Sequence, residues 1–374
     1  MRLLFVVPGG GRRAVETAGW CGQFLSRLAG RGHVVEIVTT VGTVGEALVG
    51  PRYGTLTVHR LPVGDGDGTG LAALVGRCIE ARFTPRLDLQ EAWISGLGPT
   101  SPELVEWLWD RAGGFDAVGL IDGASALVQS GVTALAGIVP TVLHPLAADQ
   151  AWLRLGVFDT TLRLPTAMGF VDGTEASLVH ALAPGPATGA VVGCGVEQAP
   201  LGTLPDQAEA RELAGLGDQP YLLAGRGSGA GRDQLVRYFS AYTRRHGGPL
   251  RLVVGGEELD LADQAHRMAA IGGAVAVVQP VGADPLPVLW AEAGASGRPC
   301  LMATGAPGRL RPRPGAFGFG DFFEFEAAVE LLVADQEAGA ALGFEGWRFV
   351  ESNCRWDDLL ARYERLLHVI QSHR

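Results

Sequence analysis

Lysine is absent from this chain of 374 residues, so all 30 of its basic residues are arginine. Arginine is always charged and can bind a phosphate through two parallel hydrogen bonds, so any side-chain clamp on a phosphate here must be built from arginine. Acidic residues outnumber the basic ones and give a net charge of −10. Because proteins that bind nucleic acid usually carry a basic surface, this charge argues against a nucleic-acid partner.

Long apolar runs and paired cysteines are also lacking. No apolar run approaches the roughly 18–20 residues that a membrane-spanning helix needs. The apolar stretch in residues 1–10 is too short for a signal peptide and is followed by no cleavage-site pattern. The five cysteines are scattered without a C-x-x-C pair: Cys21, Cys78, Cys194, Cys300 and Cys354. This spacing argues against a disulfide framework or a zinc site and favours a cytoplasmic location.

The first forty residues alternate in a way typical of α/β proteins. Leu3–Val7 is a continuous apolar run suited to a buried parallel strand, and a glycine-rich turn follows at residues 9–11. A stretch with apolar residues at helical spacing then leads to a second apolar run, Val34–Val38. This order predicts a β-loop-α-β unit, which is how a doubly wound sheet begins.

Similar units follow along the chain, and a second series starts near residue 220. Further strands are predicted at Leu56–Val63, Ala117–Ile121, Pro140–Leu143, Tyr221–Ala224, Leu250–Val254 and 276–280. Two separate series predict two Rossmann-like domains of the α/β class, at residues 1–198 and 199–354. The amphipathic stretch 355–374 predicts a final helix that packs back on the N-terminal domain. Ligands of such proteins bind at the carboxyl ends of the strands, in a cleft between domains.

Six segments with a particular order and spacing make the prediction more specific. They are Leu28–Val35 (LAGRGHVV), Val139–His144 (VPTVLH), Gly195–Glu197 (GVE), Arg211–Arg226, Pro280–Leu301 and Trp356. Together they resemble the motifs of retaining, family 4 glycosyltransferases over nearly the whole chain. The resemblance implies the GT-B fold, with two Rossmann-like domains facing across a cleft and a C-terminal crossover helix. It also implies transfer of a sugar, with retention and without a metal, from a nucleotide-sugar donor of the UDP or GDP type to a hydroxyl acceptor.

Two acidic residues mark the donor site that the resemblance implies. Asp284 and Glu292 stand eight residues apart, which is the spacing of the family's E-x7-E pair. Carboxylates suit this site because they accept hydrogen bonds from ribose or sugar hydroxyls. A helix that begins near Pro287 would present its free amides to the diphosphate. The alternative interpretation is that Asp284 caps this helix and Glu292 binds neighbouring backbone.

Two arginines are the candidate phosphate ligands. Arg226 stands where the family has its diphosphate-binding arginine, and Arg232 is the nearest substitute for a lysine that the family normally adds. Cations are needed there because the charge on the departing nucleoside diphosphate grows in the transition state. The alternative is that both are ordinary solvated charges.

The acceptor side is predicted from the first domain. His144 ends a predicted strand, and the resemblance implies a place beside the reacting sugar or the acceptor, although a lone histidine is more often structural. Gly10 and Gly11 would let the backbone approach the donor phosphate or the acceptor closely. Glu16 and Asp122 are weaker acceptor-binding candidates on the same side.

Three features depart from the family pattern or compete with it. The glycine-rich segment between the paired acids is replaced by Pro285-Leu286-Pro287, which offers fewer backbone amides. The span from Leu250 to Pro280 is about one β-α unit shorter than in the family. In the family this span holds the nucleobase, so the resemblance does not indicate which nucleotide binds. Asp65-Gly66-Asp67 resembles the D-x-D metal motif of another glycosyltransferase fold, but it lies in a predicted surface loop, so no essential metal is expected.

These departures leave two alternatives open. One is a degenerate GT-B protein that acts as a non-catalytic sugar- or partner-binding subunit. The other keeps the fold but changes the reaction, to an inverting transfer or to epimerisation of a nucleotide sugar. The acceptor can be a glycan, a lipid-linked glycan or a small molecule. No strongly basic amphipathic helix is present in the first domain, so peripheral membrane association is the most that is expected. The prediction also allows a homodimer.

Overall fold

The chain folds into two α/β units, each built on a parallel sheet. The computed structural model describes residues 1–9, 14–40, 56–64, 75–79, 81, 83–147, 151–183, 188–225, 229–255, 263–280, 287–304 and 313–372. Unit 1 comprises Met1–Gly193 and Leu359–Arg374, and unit 2 comprises Cys194–Asp358. The corresponding predicted boundaries are residues 198 and 354. The α/β class with two Rossmann-like sheets is confirmed.

The described part of unit 1 has a seven-stranded sheet in the order β3-β2-β1-β4-β5-β6-β7, with all neighbours parallel. The strands are β1 (Arg2–Val6), β2 (Val34–Thr40), β3 (Thr57–Leu61), β4 (Ala117–Ile121), β5 (Thr141–His144), β6 (Ala167–Phe170) and β7 (Gly189–Val191). The central strands are buried on both faces, which explains their continuous apolar sequence.

Helices cover both faces of this sheet. The helices in residues 14–182 are α1 (Ala14–Gly30), α2 (Leu87–Leu97), α3 (Leu104–Arg111), α4 (Ala126–Leu135), α5 (Val157–Arg163) and α6 (Gly173–Leu182). Alternate residues of β1 point to opposite faces: Leu4 and Val6 join a core with α2 to α6, whereas the Phe5 ring contacts Phe24 of α1. The C-terminal helix, α13 (Trp356–Gln371), adds Tyr363 to the Phe5 face.

Unit 2 has a five-stranded sheet among the described residues, in the order β12-β11-β10-β8-β9, and its neighbours are again parallel. The strands are β8 (Tyr221–Ala224), β9 (Arg251–Val254), β10 (Ala276–Gln279), β11 (Cys300–Ala303) and β12 (Ala316–Phe319). The helices are α7 (Gln207–Leu213), α8 (Gly229–His246), α9 (Gln264–Gly273), α10 (Val288–Ala295), α11 (Phe322–Ala334), α12 (Gln336–Asn353) and α13 (Trp356–Gln371), of which α13 continues from unit 2 into unit 1.

The two faces of the second sheet have separate cores. Tyr221 and Leu223 of β8 pack with residues of α9, α10 and α12, whereas Leu222 and Ala224 pack with residues of α8 and α11. This alternation follows from the two-residue period of a strand. Among the described residues, no helix combines the length and the apolar character required to cross a bilayer.

Candidate functional site

The strand orders locate the ligand-binding edge of each sheet. In unit 1 the order reverses between β1 and β4, and in unit 2 it reverses between β8 and β10. At such a switch point the following loops leave to opposite faces of the sheet and open a crevice at the carboxyl ends of the strands. The candidate sites are therefore the loops after β1 and β4 in unit 1, with the adjacent loop after β5, and the loops after β8 and β10 in unit 2.

His144 is the last residue of β5 and lies at this edge of unit 1. Its side chain is buried, with the ring 5.3 Å from that of Tyr363 and 5.9 Å from that of Phe24. Gly169 of β6 makes room for it, because a Cβ at that position would lie 2.8 Å from His144 Cε1. Burial lowers the pKa of His144 to about 4, so the imidazole is neutral at pH 7. Within the described part of the chain, Nε2 has no hydrogen-bond partner.

Asp122, which the sequence predicts to lie on the acceptor side with His144, lies beside it in the structure. Its amide donates to the His144 carbonyl oxygen at 3.0 Å, and its Oδ1 accepts from the Ala124 amide at 3.2 Å. The backbone of Asp122 has φ 75, in the left-handed region that few non-glycine residues adopt. Such strain is concentrated at functional sites, and aspartate tolerates it better than most residues. Glu16 is the third residue of α1, and Gly10 and Gly11 lie outside the described residues.

Glu175 is a buried carboxylate at the same edge that sequence reasoning missed. Oε1 accepts from the Ala147 amide at 2.7 Å, and Oε2 accepts from the Val171 amide at 2.6 Å. Ala147 follows β5 and Val171 follows β6, so one side chain binds the loops after two adjacent strands. The signal in the sequence is the D-x-x-E pattern Asp172–Glu175 at the start of α6, which predicts a helix cap but not these contacts.

In unit 2 the loop after β8 begins at Gly225. A Cβ there would lie 2.8 Å from Leu289 Cδ2, so the Leu289 side chain in the first turn of α10 lies close to this strand end. Two helices, α8 and α10, begin just beyond the carboxyl ends of β8 and β10. Free amides and the helix dipole make such N-termini suited to bind anions.

Of the two candidate arginines and Asp284, only Arg232 lies among the described residues. Arg232 is the fourth residue of α8 and is half-buried. Arg226 and Asp284 lie in the loops after β8 and β10, outside the described residues. The structure thus places one of the two predicted phosphate ligands at the start of the helix that follows the switch-point strand.

Glu292 is the fifth residue of α10, and its side chain is 5% exposed. Three residues earlier on the same helix face, Leu289 contacts Gly225. Arg267 of α9 binds both carboxylate oxygens of Glu292, at 2.9 Å from Nε to Oε2 and 2.7 Å from Nη2 to Oε1. Sequence reasoning missed Arg267. A carboxylate has about four lone-pair sites, so this bidentate pair leaves Glu292 able to accept further hydrogen bonds.

Metal binding was not expected, and the described residues contain no group of three His, Cys, Asp or Glu side chains that could hold an ion. Asp65-Gly66-Asp67 lies outside them. Transfer without a metal therefore stays a prediction.

The sequence matches no protein-family profile, and no curated protein is significantly similar to it. Several solved structures are similar over the full chain. Sucrose-phosphate synthase from Thermosynechococcus elongatus has a TM-score of 0.68 at 15% identity, with 100% of both chains covered. Anabaena HepE, in complex with UDP-glucose, has a TM-score of 0.65 at 12% identity, with 100% of both chains covered.

A third similar structure has a different reaction in its name. A protein from Listeria monocytogenes, assigned as a UDP-N-acetylglucosamine 2-epimerase, has a TM-score of 0.58 at 13% identity, covering 100% of this chain and 96% of the other. Together these similarities define the class of this chain by its architecture: it has the two-domain GT-B fold. Membership of family 4 and the retaining outcome stay predictions.

Proposed function

We propose that this protein is a glycosyltransferase that moves a sugar from a nucleotide-sugar donor to a hydroxyl acceptor. The observation that carries the proposal is the match of the full chain to GT-B enzymes, among them HepE with bound UDP-glucose. The fold alone does not define a reaction. The residues at the two switch points supply the additional support.

Unit 2 is the proposed donor-binding unit. The N-termini of α8 and α10 would bind the diphosphate of a UDP- or GDP-sugar, with Arg226 and Arg232 as the cations. Glu292, held in one orientation by Arg267, and Asp284 would accept hydrogen bonds from donor hydroxyls. This arrangement favours bond cleavage because fixed cations stabilise the charge that grows on the leaving diphosphate.

Unit 1 is the proposed acceptor-binding unit. His144 is buried and neutral, so its Nε2 can exchange a hydrogen bond with an acceptor or donor hydroxyl without the cost of burying a charge. Glu16, Asp122 and the backbone at Gly10 and Gly11 complete the proposed set. Transfer would proceed with retention and without a metal: the bond from the anomeric carbon to the diphosphate breaks, the acceptor oxygen bonds to the same face, and a leaving phosphate oxygen takes its proton.

A thermal-shift screen with UDP, GDP, ADP and dTDP tests the donor assignment. A ligand at 100 times its Kd stabilises the folded state by about 2.7 kcal/mol, which raises Tm measurably. We expect one diphosphate to raise Tm, and Arg232→Gln to weaken that effect. Arg237→Gln is the matched control, since Arg237 is exposed further along α8. Failure of every diphosphate to raise Tm at millimolar concentration would contradict the proposal and favour a non-catalytic role.

Epimerisation of a nucleotide sugar is the second candidate, and the similarity to the Listeria protein favours it. The two reactions are distinguished by their products. The screened donor is incubated with the protein, with and without added hydroxyl acceptors, and the sugar is analysed by proton NMR. An inverted ring carbon without transfer would indicate an epimerase. A new glycoside would indicate transfer, and the configuration of its anomeric carbon would test retention.

A further inference from the structure

We propose that Glu175 is a positioning residue for His144, which it acts on by holding the loop that follows β5. That Glu175 fixes the position of His144 does not depend on what the protein does. The effect on catalysis rests on the proposed function. Four observations converge on this assignment: the contacts of Glu175, the strained backbone beside it, the packing of the imidazole and the place of all three at the switch-point edge.

The contacts of Glu175 reach well beyond its own helix. Its side chain is buried, and it accepts hydrogen bonds from Val171, four residues earlier, and from Ala147, 28 residues earlier. Hydrogen bonds from an amide to a carboxylate are stronger than neutral ones, and both are short here. In an ordinary capping box the third-position glutamate binds the amide of the capping residue. Glu175 instead ties the loop after β5 to the loop after β6.

The backbone beside this contact is strained. Among the described residues, Asp122 and Leu146 are the non-glycine residues with positive φ, at 75 and 50. Asp122 donates its amide to the carbonyl of His144, and Leu146 is two residues beyond His144. A left-handed leucine costs roughly 1–2 kcal/mol and persists only where its surroundings hold it. The bond from Ala147, the next residue, to Glu175 is such a restraint.

The His144 imidazole is enclosed on several sides and has little room to move. The Gly169 backbone, the Phe24 ring and the Tyr363 ring surround it, and its backbone is fixed by Asp122 on one side and the Glu175-held loop on the other. A small displacement of β5 would therefore move Nε2, a buried polar atom that has no hydrogen-bond partner among the described residues. In reactions that depend on such alignment, a misplacement of about 1 Å costs on the order of 10²-fold in rate.

The test compares Glu175→Gln with Glu209→Gln. The glutamine keeps the shape of the side chain but can accept through one oxygen only, so one of the two amides loses its partner. Glu209 is the matched control because it follows Asp206 in the same D-x-x-E pattern at the start of α7, and it is exposed. The readouts are NMR titration of the His144 imidazole, hydrogen exchange at the Ala147 and Val171 amides, and steady-state kinetics.

In E175Q we expect the pKa of His144 to rise from about 4 towards its ordinary value of 6.5, because the loosened loop admits water. We also expect exchange at Ala147 to accelerate, and kcat to fall about tenfold or more with little change in donor KM. E209Q should match the wild type in all three readouts. A lower Tm in E175Q with unchanged His144 titration and unchanged Ala147 exchange would overturn the proposal.

A second variant covers the case in which E175Q does not fold. Leu146→Gly removes a buried side chain from the same loop, and the water that enters should also raise the pKa of His144. An unchanged titration there would count against the proposal. If no nucleotide diphosphate binds, the proposed function fails, yet the NMR and exchange readouts still decide whether Glu175 positions His144.

Discussion

At the residue scale, His144 is a histidine that folding keeps uncharged. Burial lowers its folded-state pKa to about 4, against 6.5 for an exposed histidine. Because the unfolded chain binds the proton more tightly, this residue's contribution to stability is complete above pH 6.5. It decreases as the pH falls from 6.5 towards 4.

We expect the free energy of unfolding to fall by about 2 kcal/mol between pH 7 and pH 5 through His144 alone. Urea unfolding at the two pH values measures this loss, and His144→Gln should remove it. His368→Gln is the control, because His368 is exposed on α13. An equal pH dependence in the wild type and H144Q would show that the imidazole is not held neutral in the folded protein.

At this scale, the sequence predicted the secondary structure in which a residue lies better than it predicted the residue's hydrogen-bond and ion-pair partners. The apolar run before His144 predicted its place at a strand end, and the helix expected to begin near Pro287 predicted that Glu292 lies in a helix. The partners come from elsewhere in the chain: Arg267 is 25 residues from Glu292, and Ala147 is 28 from Glu175. Such pairings depend on how helices and loops pack, which local pattern does not encode.

At the scale of elements, the buried ion pair between Arg267 and Glu292 joins α9 to α10. Removal of one partner leaves an uncompensated buried charge, so Arg267→Met should cost roughly 3–5 kcal/mol of unfolding free energy. Replacement of both partners by apolar residues, as in R267M/E292L, should restore most of it, because the cost of burying charge disappears. Urea unfolding of the two variants measures both effects.

The same double variant separates the structural role of Glu292 from its proposed donor role. If Glu292 accepts a donor hydroxyl, R267M/E292L should fold yet bind the nucleotide sugar about tenfold or more weakly, since a hydrogen bond to a charged group contributes about 1.5–3 kcal/mol. R245M/E326L is the control, a partly exposed pair between α8 and α11 on the other sheet face. Unchanged donor affinity in R267M/E292L would make Glu292 purely structural.

A second set of contacts attaches α13 to the turn between α1 and β2. Arg31 binds Glu364 through Nε at 2.9 Å and Nη2 at 3.0 Å, and His33 Nε2 lies 3.1 Å from the same carboxylate. The RGH motif, which suggested the family, thus has a structural task here. These partners are 333 and 331 residues apart in the chain, which is why the motif alone could not reveal it.

Glu364→Gln should destabilise the protein by about 1 kcal/mol at pH 7, the scale of partly exposed ion pairs. Burial by itself would raise the pKa of Glu364, but the hydrogen bonds and charges of Arg31 and His33 lower it overall. The contribution is therefore present at neutral pH and is lost as the pH falls below 4.5. The difference in unfolding free energy between wild type and E364Q should shrink in that range. Glu351→Gln, at an exposed position of α12, should show no such change in this pH range.

At the scale of the whole molecule, sequence was most successful for the architecture. Eight predicted strands are present within two residues of their expected bounds, because buried parallel strands have unmistakable apolar runs. Strands β6, β7, β11 and β12 were not predicted, because β6, β7 and β12 contain glycine and β11 has no β-branched residue, so their sequences carry little strand propensity. Arg226, Asp284, Gly10 and Gly11 lie outside the described residues, so their roles rest on sequence alone.

The two units differ in the number of chain segments that form them. Unit 1 needs both ends of the chain, whereas unit 2 is the continuous segment Cys194–Asp358. The two ends of unit 2 meet, because the Val196 amide donates to the Cys354 carbonyl oxygen at 2.9 Å and Val196 pairs with Arg355. A continuous segment with its own cores and adjacent ends has the properties of an independent domain.

We therefore expect a fragment of residues 194–358 to unfold cooperatively in urea and to bind the nucleoside diphosphate selected by the full chain. Truncation after residue 358 tests the opposite case, since it removes six buried residues of α13 from unit 1: Leu359, Leu360, Tyr363, Leu366, Leu367 and Ile370. Each large apolar side chain lost from a core costs about 2–5 kcal/mol, so unit 1 should not remain folded without them. A stable 1–358 chain, or a 194–358 fragment without a cooperative transition, would show that the units depend on each other in another way.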